Sequence, residues 1–170
     1  MYLFFKEEGL SGMEINDILQ IVMAFLGSLC FTMFFNVHGK RIFINAFGGM
    51  IGWTFYLVVY KTTGSIFQGY FYTAILITFA CEVLARILKA PTTMMIVPML
   101  FPEIPGGDLY RTVFNLFQGN MEEFASYGTT LAIEIAALNL GIVLVTTLVK
   151  FYMIEKQRLS KKKTIKQTLK

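Results

Sequence analysis

Four long apolar runs dominate this chain: Ile15 to Phe35, Ile42 to Tyr60, Ile66 to Leu88 and Tyr127 to Val149. Each holds roughly 19–23 residues, enough at about 1.5 Å per residue to cross a hydrocarbon core of about 30 Å. All four are apolar on every side, as lipid-facing or bundle-buried helices must be. Residues of the set AVILMFWYC make up 55% of the 170, and only 15% are charged. A soluble core of that size cannot hide so many Phe, Ile, Leu and Met side chains. Intrinsic disorder needs low hydrophobicity and is excluded as well. The expected fold is an all-α, polytopic integral membrane protein.

Charge then orients the spans. Between Lys150 and Lys170 eight basic residues stand against the single acid Glu155, so this end belongs in the cytoplasm. Lys40 and Arg41 after the first span, and Arg86 and Lys89 closing the third, belong there too. That places the N-terminus outside. The last span can finish inside only if it starts outside, near Glu122 and Glu123, so the chain must cross somewhere between Pro91 and Ser126. Parity predicts about five transmembrane helices, with the fourth broken by prolines. The division that follows is a short extracytoplasmic segment 1–14, a transmembrane helical domain 15–154 and a basic cytoplasmic tail 155–170. No small-residue cleavage site follows an apolar core near the N-terminus, so no removable signal peptide is expected.

The stretch from Ala90 to Gln118 is the unusual one. Thr92 to Phe101 is apolar but only about half a membrane thick. Pro91, Pro98, Pro102 and Pro105 punctuate it; Gly106, Gly107 and Asp108 follow, then a helical pattern from Leu109 to Gln118. Prolines at this density break a helix and strip backbone groups of their partners. In a membrane such backbone survives only where protein buries it or where it lines a wet cavity. A Pro-Gly-Gly turn that opens a helix leaves several N–H groups unpaired at the positive end of the helix dipole. Broken transporter helices hold substrate carboxylates on such ends. Asp108 is also placed to cap the helix itself.

Intramembrane acids are the other candidates, because charge at that depth is expensive and is kept for a cavity or a partner. Glu82 and Arg86 lie one turn apart and can form a helical ion pair at the interface. Glu134 has no basic partner within its own helix, which makes it the sharper candidate for a protonatable or substrate-facing group. Asn45, Gly49, Gly52 and Tyr56 share one helical face that could line a solute path, and Gly48 with Gly52 forms a small-xxx-small pair that lets a neighbouring helix approach.

Other chemistry has no footing. The chain has no P-loop, no His/Cys metal cluster and no Ser/His/Asp set. Cys30 and Cys81 read as small apolar side chains, and His38, the only histidine, as an interfacial residue. No enzyme, cofactor or metal is expected. The basic tail follows a membrane span directly, so contact with anionic membrane lipid is expected and nucleic acid is not.

Three blocks carry a family resemblance: FTMFFNVHGKRIFINAFGGMIGW, ACEVLARILKAPT and VPMLFPEIPGGDLYRTV. Over roughly Phe31 to Gly141 they resemble the threonine/serine exporter (ThrE) family, in its small YjjB-like subunit type, which corresponds to the C-terminal membrane half of full-length exporters. The Pro-rich block of that family matches at Pro98, Pro102, Pro105, Gly106, Gly107 and Tyr110, and its acidic-plus-Ala-Arg block at Glu82, Ala85 and Arg86. The sequence departs from the family pattern at Glu103, where an aliphatic residue is usual, at Met99, where glycine is frequent, and at His38, where proline is usual. A carboxylate at Glu103 beside the break bears on substrate charge preference.

The resemblance implies a multi-pass protein of the bacterial plasma (inner) membrane that exports small polar metabolites, threonine and serine above all, with a dicarboxylate such as succinate in some members. It also implies a partner, a larger membrane subunit of the same family (YjjP-like). Together with the residues it predicts secondary, ion-gradient-driven transport. The expected substrate-binding set is Asn45, Glu82, Arg86, Pro98, Pro102, Glu103, Pro105, Gly106, Gly107, Asp108, Tyr110 and Glu134. The rival reading is a non-transporting assembly or scaffold subunit.

Overall fold

A computed structural model describes residues 15–168; the segment 1–14, expected outside the membrane, lies outside the described residues. Six α-helices follow in order: α1 (Ile15–Phe34), α2 (Lys40–Thr63), α3 (Ile66–Ile87), α4 (Thr93–Leu100), α5 (Gly106–Gln118) and α6 (Met121–Thr168). A 3₁₀ turn, Phe101–Glu103, joins α4 to the residues before α5. Among the described residues there is no strand. Helices α1, α2 and α3 and the first part of α6 are each long and apolar enough to span a membrane.

The ends of these helices follow local chemistry. Gly64 closes α2 in the left-handed region at φ 66°, and Ser65 caps α3 by accepting from the Gln68 amide. Gly119 closes α5 at φ 75°, a conformation that a side chain resists, and α6 begins two residues later. The last helix departs from the expected span Tyr127 to Val149. It starts at Met121 and continues through the basic tail to Thr168, 48 residues or ~72 Å of helix, so the tail residues that the structure describes extend the same helix.

Pairwise contacts give the directions. Phe25 meets Phe47 and Gln20 meets Trp53, so α1 and α2 run antiparallel. An ion pair between Asp17 and Lys61 ties the start of α1 to the end of α2. At the opposite end the Arg41 guanidinium donates to the Leu88 carbonyl at 3.2 Å, which brings the basic residues of both connections together. Gly52 packs on Ile77 and Gly69 on Tyr56, so α2 and α3 are antiparallel. Gly141 faces Ala74 and Glu134 faces Tyr70, so α3 and α6 run in the same direction.

Two parallel neighbours require the chain between them to return along the bundle, and the broken segment does this. Met94 bonds to Asn45, Met99 fills the space at Gly48, and Glu103 lies at Gly52, so α4 and its turn ascend beside α2 in the same direction. Helix α5 continues that ascent and pairs antiparallel with α6, Asp108 beside Glu134 and Thr112 against Gly128, with Arg111 over the Tyr127 ring at 5.4 Å. The Gly48/Gly52 pair thus serves this chain's own broken segment and α3 rather than a foreign helix.

Burial is inverted relative to a soluble protein. Asp17, Ser28, Thr32, Asn45, Thr73, Thr78, Glu103, Asp108, Thr112, Asn115 and Glu134 are buried, while large apolar side chains cover the outside. Helix α5 shows it best: Asp108, Thr112 and Asn115 face inward, whereas Tyr110, Phe114 and Phe117 face out. Lipid accepts that surface and water does not.

Candidate functional site

Five residues separate the end of α4 from α5, and they create a hollow at mid-bundle. Pro105 stands at the N-cap of α5 and contributes no side-chain cap. The Ile104 carbonyl takes the Gly106 amide and the Pro105 carbonyl takes that of Leu109. The amides of Gly107 and Asp108, in the first turn, have no helical carbonyl behind them. They open beside a cavity of about 230 Å³ between α1, α2 and the break, bounded by Gln20, Ala24, Gly27, Trp53, Pro102 and Gly106 with Gly107. A second, smaller hollow of about 60 Å³ adjoins it, lined by Tyr56, Tyr60, Ile66, Asp108 and Glu134. Gln20 and Trp53 line both, and the Trp53 indole donates to Gln20 Oε1 at 3.3 Å between them.

Asp108, in the first turn of α5, is buried, and its carboxyl adjoins that of Glu134 on α6. Glu134 reaches this point because α6 lies parallel to α3, which sets its carboxyl beside Asp108 and Tyr70. Two acids from two helices therefore share one buried hollow, and among the described residues no Lys or Arg lines either hollow. At the first turn of α5, unpaired amides suited to an anion adjoin carboxyl groups suited to a cation.

The remaining candidates separate cleanly. Pro102, Gly106 and Gly107 line the larger cavity. Pro98 is buried within α4. Glu103 is fully buried, but it points to Gly52 on α2 and lines neither hollow. Asn45 donates to the Met94 carbonyl at 3.1 Å. Glu82 and Arg86 form an ion pair of 3.0 Å near the far end of α3, its guanidinium side 43% exposed. Tyr110 is 68% exposed and stacks on Phe114, away from the cavities.

A family model described as "Threonine/Serine exporter, ThrE" matches residues 20–148. The chain belongs to the threonine/serine exporter family. The match contains every element that builds the two hollows, and it makes this membrane protein one of a transport family. No curated protein and no solved structure matches the chain.

Two lining residues of this family member, Gln20 and Trp53, were not among the expected site residues. A signal for α1 does exist in the sequence: Asp17, Ala24, Ser28 and Thr32 are small or polar at intervals of seven, four and four residues, which keeps them on one helical face, and all four are buried. Gln20 and Gly27 border that stripe and face the cavity. Trp53 gives no such signal, since an aromatic residue in a membrane span is ordinary.

Proposed function

We propose that this chain is the small membrane subunit of a two-component exporter of threonine, serine or a closely related amino acid. Its partner is the larger membrane subunit of the same family, and transport is secondary, driven by an ion gradient. The setting is the bacterial inner membrane, with the N-terminus outside, the C-terminus in the cytoplasm and five crossings, the fourth being the broken pair α4–α5. The antiparallel and parallel contacts above support that count, because α3 and α6 share a direction.

One observation carries the substrate reading: the first turn of α5 joins free amides of Gly107 and Asp108 to a buried Asp108–Glu134 pair. A zwitterion fits both ends. The α-carboxylate takes the amides at the positive end of the helix dipole, and the ammonium takes the acids across the Gln20–Trp53 partition. A dicarboxylate would set its second charge against Asp108 and Glu134, and among the described residues no basic side chain lines either hollow to receive it. The larger cavity is below the range of about 300–1,000 Å³ for drug-sized ligands, which suits a solute of few heavy atoms.

Export from preloaded cells tests this, with threonine, serine and succinate compared in the presence and absence of the partner subunit. Threonine and serine export should require both chains and should fall sharply with Gly107→Leu or Glu134→Gln. Succinate export at the threonine level, or normal threonine export by both variants, would refute the assignment.

A further inference from the structure

The break offers two helix ends, and the solute reading uses only the N-terminal end of α5. At the other end, α4 runs into the turn Phe101–Glu103, and Glu103 faces away from the solute cavity. Its side chain is 0% exposed, and neither carboxyl oxygen has a hydrogen-bond partner. It lies on the bare backbone of Gly52: a Cβ there would stand 3.3 Å from Glu103 Oε1. One turn earlier on the same face of α2, the Ser28 hydroxyl occupies the place of a Gly49 side chain, next to the Pro102 ring. Ser28 Oγ is also buried and unpartnered. Two glycines one turn apart on α2 thus admit a hydroxyl and a carboxylate near the C-terminal end of a half-helix. Pro102 adds to this by removing the amide that would bond the Pro98 carbonyl.

Among the described residues no charge balances Glu103. The turn packs on α1, α2 and α4. Helix α4 contains no charged residue, and Asp17, Lys40, Arg41 and Lys61 stand at the ends of α1 and α2. Ile77 is what α3 brings to the site, while its Glu82 and Arg86 pair with each other a turn or more away. Asp108 and Glu134 belong to the hollow across the break. A lone carboxylate at membrane depth is strongly disfavoured, and half-helix C-termini with unwound backbone are where broken transporter helices coordinate small cations.

We propose that Glu103, with Ser28 beside it, binds a small monovalent cation, a proton or a sodium ion, on the side of the break opposite the solute. This inference deepens the exporter reading and rests on it for its role, which is coupling. Binding itself is measurable without transport, because Trp53 is the only tryptophan of the chain and adjoins Gly52.

In the purified full chain, Trp53 emission is titrated with sodium chloride against choline chloride at fixed pH, and separately with pH in the absence of sodium. One cation should give a saturable change that Glu103→Gln abolishes, Glu103→Asp retains with a shifted midpoint, and Glu82→Gln, outside both hollows, retains. Ser28→Ala should weaken a sodium response by about tenfold or more and leave a proton response in place. A flat emission with both cations, or a response that survives Glu103→Gln, overturns the site. In membrane vesicles containing both subunits, Glu103→Gln should still exchange threonine for threonine but no longer accumulate it along a sodium or a pH gradient. Gradient-driven accumulation by Glu103→Gln sinks the cation site alone. An intact emission response in a wild type that moves no threonine supports the cation site and refutes the exporter reading.

Discussion

The Asn45 side-chain amide donates to the Met94 carbonyl at 3.1 Å, and Met94 is the residue whose helical donor Pro98 removes. A side chain from α2 thereby repairs the backbone of α4. Asn45→Ala leaves that carbonyl bare and should cost about 1–2 kcal/mol. Pro98→Ala restores the missing amide, so Asn45→Ala in that background should cost less. Thermal unfolding of the four purified variants measures the coupling; equal losses in both backgrounds would show that the bond does not contribute.

Two glycines on α6 should respond in opposite ways to the same substitution. A Cβ at Gly141 would meet Ala74 Cβ at 2.7 Å and the Phe71 carbonyl oxygen at 2.9 Å, and backbone cannot swing aside. Gly141→Ala should force α3 and α6 apart at a cost of about 1–3 kcal/mol. At Gly128 the nearest atom is Thr112 Cγ2 at 3.6 Å, so Gly128→Ala should leave the melting temperature unchanged or slightly raised, as helix propensity favours Ala over Gly.

Buried and exposed acids should differ in export. Glu134→Gln and Asp108→Asn disturb a small hollow to which α1, α2, α3, α5 and α6 all contribute side chains, and threonine export should drop by about tenfold or more, the scale of losing one charged contact. Glu82→Gln breaks an i,i+4 pair that is worth roughly 0.3–0.5 kcal/mol in an exposed setting, so export should stay near wild type. A loss with Glu82→Gln equal to that with Glu134→Gln would move the functional acid to the far end of α3.

The spans were legible because length and all-round apolarity are enough to define a membrane helix, and the first three helices begin and end within a few residues of their runs. The break was legible from its prolines and double glycine. What escaped was anything set by register between helices. The sequence places Asp108 where a cap would be, yet only the parallel packing of α6 on α3 brings Glu134 close enough to claim it. Glu103 reads as part of the solute site by its position in the chain. One turn of 3₁₀ helix rotates it toward Gly52 and the other side of the break. Gln20 and Trp53 come from different helices 33 residues apart, and no local pattern joins them.

Topology can be read with single cysteines in a background without Cys30 and Cys81. Gly64 and Gly119 close hairpins at the same end of the bundle, opposite His38 and Lys89. An impermeant maleimide applied to intact cells should label cysteine at positions 64 and 119 and spare 38 and 89 until the membrane is opened. Labelling of 64 without 119 would deny the fourth crossing.

The inverted polarity of α5 also bears on how the protein is made. Asp108, Arg111, Thr112 and Asn115 leave this helix too polar on one side to rest alone in lipid, and the eight residues of α4 are too short to span by themselves. On the proposed five-crossing topology neither piece would enter the bilayer in its turn along the chain. Both would wait at the surface until α6 has been inserted and then fold inward against it. The fourth crossing would then be the last to form, and the proposed site would be assembled only once the chain through α6 is in place.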